Sequence, residues 1–129
     1  MEMIRANNLA DVFDALAGHP EALLLAGGTD AMVLVNAGVM APDYVVSLRG
    51  VEDLKRWDDT FIGAGVTFAK LEKSDIAGLA ELARSVGSPQ IRAAGTIGGN
   101  LATASPAGDA LPFLCLLYTS DAADDSALV

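Results

Sequence analysis

Residues 95–109 read GTIGGNLATASPAGD, and their neighbours extend the neutral stretch so that no charge occurs from Ala93 to Gly108. The glycines, threonines, serine and proline unsuit this stretch for a membrane helix or a regular core helix, so it reads as an extended, loop-rich segment. It concentrates polar groups of a particular kind. Glycine amides occur at Gly98 and Gly99, a side-chain amide at Asn100, hydroxyls at Thr96, Thr103 and Ser105, and a carboxylate at Asp109. Amides and hydroxyls donate to phosphate oxygens without a cationic side chain, and Asp109 can accept from ribose-type hydroxyls. The same groups also suit a set of Asx and Ser/Thr turns that hold an irregular loop together. Taken alone, the segment leaves both readings open.

A second glycine-rich segment lies upstream, LAGGTD at Leu25 to Asp30. Ala22 to Ala26 is an apolar run of strand length, Gly27 and Gly28 break it, and Thr29 is placed to cap a helix running to about Asn36. A strand, glycine turn and helix in that order expose backbone N–H groups to which an anion can come close. A bare pair of glycines before a helix is also an ordinary turn, and the Asp30 carboxylate must point away from any diphosphate. Before this unit, Leu9, Val12, Phe13, Leu16 and Ala17 share one helical face, with Asn8 as N-cap and Gly18 as stop. Beyond Pro42, Tyr44 to Leu48 makes another buried-type strand, so the first fifty residues have a β-α-β pattern and a parallel pair. Thr60 to Val66 is a strand candidate and Thr67 a cap for a short helix. Ile76, Leu79, Ala80, Ala83 and Val86 mark a further helical face.

Composition narrows the function. At 129 residues and 52% hydrophobic, the chain is sized for one domain with a real core. Its net charge of -9 and lack of a Lys/Arg cluster argue against nucleic acid as a partner. No run of residues is long and apolar enough to span a bilayer, and no secretory signal pattern opens the chain, so the cytoplasm is the expected location. One cysteine, Cys115, cannot supply a disulfide, zinc or iron-sulfur site by itself. His19, followed by Pro20, reads as a solvated turn residue. Neither is assigned a role, and no metal site is expected.

The texture changes at Cys115. The string CLLYTSDAADD, residues 115–125, back-translates in frame to a transposase sequencing adapter, and the constant bases beyond the adapter's variable index encode valine and then stop, as at Val129. Residues 115–129 are therefore expected to be a non-native tail. The alternative is a natural helix over Asp109 to Leu117 with a polar end. Without Asp121, Asp124 and Asp125 the balance moves from -9 to -6, and the reading of the charge is unchanged.

LAGGTDAM, DYVVSLRGVEDL, IGAGVTFAKLEKS and VGSPQIRAAGTIGGNLATASPAGDALP resemble, in order and spacing, the FAD-binding subunit or domain of the molybdenum hydroxylases, the xanthine dehydrogenase and aerobic carbon monoxide dehydrogenase type. The resemblance covers residues 1–114, and the pairing of TIGGN with SPxGD is its most specific part. It implies an α+β, two-subdomain FAD-binding fold of the PCMH type, truncated, with a β-α-β subdomain over about 1–55 and the start of a second α+β subdomain over about 56–114. FAD would be the cofactor, its phosphates against Leu25, Ala26, Gly27, Gly28, Thr29, Asp30 and Ala31. Thr96, Gly98, Gly99, Asn100, Thr103, Ser105 and Asp109 match the second FAD-contacting motif. Ala93 departs from it, because relatives often carry Asn after the arginine here at Arg92.

By the same resemblance the chain would pass electrons from iron-sulfur clusters through FAD to an external acceptor. Its partners would be the iron-sulfur and molybdopterin subunits of one complex, and no catalytic acid, base or nucleophile is assigned. Two other functions compete: a flavin oxidase of the vanillyl-alcohol type, for which His19 and Cys115 are poor candidates as a covalent tether, and a nucleotide-binding module without redox chemistry.

Overall fold

The computed structural model describes residues 1–103, 110 and 112–114. The chain opens with a strand that the sequence pattern did not reveal, β1 at Glu2–Arg5. Next comes helix α1 at Leu9–Gly18, where Asn8 is the N-cap, as its sequence position predicts. The Asn8 side chain accepts from the Asp11 N–H at 2.9 Å, and the Asp11 carboxylate accepts from the Asn7 N–H at 2.8 Å. This reciprocal pairing satisfies donors that the first turn of any helix leaves without partners.

His19 is not the solvated residue its turn position suggested. Its backbone N–H closes α1 on the Ala15 carbonyl, and its half-buried ring stacks on Tyr44 with centroids 3.6 Å apart. The ring lies at the foot of the sheet, where Tyr44 opens the central strand.

Strand β2 at Leu23–Leu25, helix α2 at Ala31–Asn36 and strand β3 at Tyr44–Ser47 follow, close to the predicted bounds. Thr29 does not cap α2. Asp30 occupies that position in a helical conformation with no side-chain cap bond, so Thr29 remains in the turn. The sheet order is β1-β3-β2, and both pairings are parallel, with Ile4 and Leu24 opposite Val46. Val45 and Val46 are both fully buried, which marks a central strand covered on both faces. Val46 packs with Ala6, Val12 and Val51 in one core cluster.

The expected strand over Thr60 to Val66 does not form. Only an isolated bridge joins Trp57 to Ile62, and the N–H groups of Gly63, Gly65 and Val66 turn to the carbonyls of Arg56, Leu54 and Gly63. Bonds back to the 54–57 segment and one turn at Gly63–Val66 take these donors, so no continuous strand forms. Thr67 does cap helix α3 at Phe68–Leu71, its hydroxyl accepting from the Lys70 N–H. Helix α4 spans Leu79–Ser85 and buries Leu79, Ala80 and Ala83, whereas Ile76 and Val86 fall outside its ends.

Helices α5 at Pro89–Ala94 and α6 at Ile97–Thr103 correct the loop-rich reading of this region. Ser88 caps α5 and proline occupies its first turn, where the missing N–H costs nothing. Phe68, Leu71, Leu79, Ala83, Ile97 and Ala110 belong to a second core cluster, against which Trp57, Phe113 and Leu114 pack. Burial of Ile97 outweighs the low helix propensity of Gly98, Gly99 and Thr103. The stretch from residue 115 onward lies outside the described residues.

Replacing Asn8 by Ala removes the cap acceptor and is expected to cost about 1 kcal/mol. A shift in the denaturation midpoint at unchanged slope measures it, and an unmoved midpoint rejects the cap's contribution.

Candidate cofactor site

The two glycine-rich segments, some seventy residues apart, come together. A cavity of about 380 Å³ is lined by all of Leu25 to Ala31 and by Thr96, Gly99, Asn100 and Thr103. Gly98 does not line it, and Ser105 and Asp109 lie outside the described residues.

Gly27 makes the approach possible. A β carbon there would lie 2.0 Å from the Ala94 carbonyl oxygen, so the turn after β2 rests directly on the last residue of α5. Gly28 has φ of +74°, a left-handed conformation that β-carbon-bearing residues other than Asn and Asp rarely take. These glycines differ in what they do. Gly27 is required by packing and Gly28 by the path of the chain.

The backbone amides divide between the segments in a way the sequence did not foretell. Gly98 donates to the Ala64 carbonyl at 2.9 Å, Gly99 to the Thr96 hydroxyl oxygen at 3.0 Å, and Asn100 to the Thr96 carbonyl at 3.0 Å. Thr103 donates its hydroxyl to the Gly99 carbonyl. In this arrangement the Gly98 and Gly99 amides donate within the chain. The N–H groups of Gly27, Gly28, Thr29 and Asp30, by contrast, find no acceptor among the described residues. Half-buried at Gly27 to Thr29 and exposed at Asp30, these donors stay open to water or to a ligand's acceptors.

Asn100 supplies a second polar group without a partner. Its side-chain oxygen is buried and accepts no hydrogen bond among the described residues, while the residue lines the cavity. Leu24, Leu34 and Ile91, all exposed large apolar residues, line the same cavity. Apolar walls with a few converging polar groups characterise small-molecule sites. A ligand that fits must offer acceptors to the turn amides, a donor to Asn100 and an apolar, flat portion for the leucines and isoleucine. FAD meets all three demands with its diphosphate, its hydroxyls and its rings.

Sequence reasoning missed the apolar lining, including Leu23, Leu24, Leu34, Met40, Phe68, Val86 and Ile91. The apolar periodicity could have flagged these residues as buried, but it carries no sign that two faces meet across a cleft. Arg92 was noted only as a landmark. Its guanidinium donates to Glu72 at 2.5 Å and to the carbonyls of Val86 and Gly87 at 3.2 Å each, tying the end of α3 to the Val86–Ile91 rim. The arginine side chain is largely buried, at 17% exposure, so these bonds are shielded from water.

The comparisons with known proteins agree with this geometry. The family described as "FAD binding domain in molybdopterin dehydrogenase" matches residues 1–122. The nicotinate dehydrogenase FAD-subunit of Eubacterium barkeri is 38% identical over 103 residues, which cover 73% of this chain and 35% of the relative. The xanthine dehydrogenase FAD-binding subunit of Escherichia coli O157:H7 is 32% identical over 115 residues, covering 81% of this chain and 39% of the relative. Reconstituted CO dehydrogenase from Oligotropha carboxidovorans superposes with a TM-score of 0.80 at 30% identity, covering 85% of this chain and 42% of that one. The chain spans about two fifths of the length of these relatives.

Gly27→Ala should lower the stability of the flavin-free protein by about 3 kcal/mol or more, since its β carbon has nowhere to go without moving α5. Gly28→Asn should leave the flavin-free melting temperature within a few degrees, because Asn tolerates positive φ. Thermal melts without flavin check both, and equal losses at the two positions would reject the division of roles. Arg92→Ala should cost about 2 kcal/mol through the lost charge-assisted bonds.

Proposed function

This chain belongs to the family of FAD-binding domains in molybdopterin dehydrogenases, and on that premise we propose that it holds the flavin in an electron-transfer subunit of a molybdenum hydroxylase. Electrons would arrive from iron-sulfur clusters and leave through FAD to an external acceptor. The chain would work in the cytoplasm beside an iron-sulfur subunit and a molybdopterin subunit, as one component of an oxidoreductase. Among the described residues no helix is long and apolar enough to cross a membrane.

The observation that carries this reading is the row of unpartnered amides at Gly27 to Asp30, in the same cavity as the orphaned Asn100 oxygen. No Lys or Arg occurs from Ala6 to Leu48, so the amides are the positive potential that this part of the sequence offers a diphosphate. FAD, when bound, supplies a ring system that takes up and releases electrons. The chain's own task is to bind and orient it. The turn amides would receive the phosphates, Asn100 would accept from a hydroxyl or ring N–H, and the apolar walls would keep water from the rings. Asp109, at the matching acidic position after SPAG, would accept from a ribose or ribityl hydroxyl, with Ser105 beside it. The two core clusters support a division into subdomains near residue 55.

A vanillyl-alcohol-type oxidase with tethered flavin is disfavoured, because among the described residues no histidine lines the cavity. A nucleotide module without redox chemistry is separated by experiment. Titration of the purified chain, followed by flavin fluorescence, should show FAD binding roughly tenfold or more tightly than riboflavin, which lacks the diphosphate. Equal affinity for riboflavin would remove the phosphates from the turn, and equal affinity for ADP would favour the nucleotide module. Asp109→Ala should weaken FAD retention by about 1.5 to 3 kcal/mol, the worth of one charge-assisted hydrogen bond.

A further inference from the structure

A second cavity, of about 390 Å³, lies against the first, and Ala26 and Thr96 line both. Its chemistry is opposite. Arg49, Lys55 and Lys70 line it, three of the eight basic residues in a chain of net charge -9. Glu52 is its single acid. Lys55 donates to Glu52 at 2.8 Å and, by that bond and its charge, holds the carboxyl below the usual carboxylate range. Lys55 is thus paired with Glu52, whose carboxyl also feels the charge of Lys70, whereas Arg49 and Lys70 make no side-chain hydrogen bond or close ion pair among the described residues.

The backbone fixes where these groups stand. Arg49 follows β3, Glu52 and Lys55 begin and end a 3-10 turn at Glu52–Lys55, and Lys70 sits on α3. The Thr67 hydroxyl, which lines the cavity, accepts from the Lys70 N–H and retains its own hydrogen to donate. An isolated bridge between Thr67 and Thr96 joins this wall to the cofactor cavity, with Phe68 donating to Gly95 and Ile97 to Val66. Three cations facing a single carboxylate beside a hydroxyl donor, in a concave site of an acidic chain, favour a multiply charged oxyanion.

We propose that this cavity is a second anion site, taking a phosphate-type oxyanion and separate from the flavin cleft. Its occupant would sit behind the Ala26–Gly27 backbone, on the other side of the wall from the cofactor. The site does not depend on the flavin reading, because its charged groups, Arg49, Glu52, Lys55 and Lys70, line this cavity and not the first.

Inorganic pyrophosphate is the probe, titrated calorimetrically into the whole chain with and without saturating FAD, at constant chloride. One site per chain is expected in the FAD-saturated protein. Arg49→Gln with Lys70→Gln should weaken it roughly tenfold or more, while FAD affinity and the melting temperature stay unchanged. Lys70→Gln alone should give a smaller loss in the same direction, which keeps the test open if the double variant folds poorly. Lys73→Gln, an exposed lysine outside the cavity, should change nothing. Absence of saturable binding overturns the proposal, as does an equal loss on Lys73→Gln, which would indicate general attraction to positive charge. Loss of the Arg49- and Lys70-dependent site on saturation with FAD would also overturn it, by making the cavity part of the cofactor's own diphosphate site. If FAD itself failed to bind, the Arg49 and Lys70 variants would still report on pyrophosphate, so the two readings fail separately.

Discussion

A β carbon on Gly27 would lie 2.0 Å from the carbonyl oxygen of Ala94, well inside any permitted contact. Two segments far apart in sequence meet there with backbone on backbone, and the other features of the site follow from that approach. It brings the turn after β2 beside Gly95 and Thr96, so that one cavity can have both glycine-rich segments in its walls. It also fixes the divide between that cavity and the cationic one behind it, since Ala26 and Thr96 stand on either side of the contact. A side chain at Gly27 would thus disturb both cavities at once.

The local signals in the sequence were legible where one face of an element meets one core. Asn8 and the spacing of Leu9, Val12 and Leu16 locate α1, and the apolar run at Tyr44 to Ser47 locates β3. Strand β1 escaped because Glu2–Arg5 mixes polar and apolar residues, with only Ile4 turned toward the core cluster. Helix α6 escaped for the converse reason. Glycine and threonine lower its intrinsic helicity, and burial of Ile97 against Val66 and Phe68 decides the matter only in the folded chain. Thr60 to Val66 had strand-like composition, yet its glycine amides bond to the Arg56 and Leu54 carbonyls, which a periodicity argument does not see.

The candidate site was legible as a set of residues more than as a set of roles. Leu25 to Ala31 were identified and all line the cavity, as do Thr96, Gly99, Asn100 and Thr103. What could not be read was which amides are already taken. Gly98 and Gly99 look like free donors in one dimension, but Ala64 and the Thr96 hydroxyl occupy them once α6 forms. Hydrogen-bond supply is a property of the whole fold, and identical glycine pairs can end with opposite capacities.

The order β1-β3-β2 has a consequence for how the chain acquires its shape. The two outer strands never touch each other, and each is paired only with β3. Until β3 is available, β1 and β2 have no edge to join. Only when Tyr44 to Ser47 arrive can either strand close its ladder, and the two then close on the same template. Pairing of this kind is non-local for β1, some forty residues from its partner, and slow relative to formation of α1. The delay before Tyr44 to Ser47 come into place therefore sets how long β1 and the apolar β2 stay open to other chains.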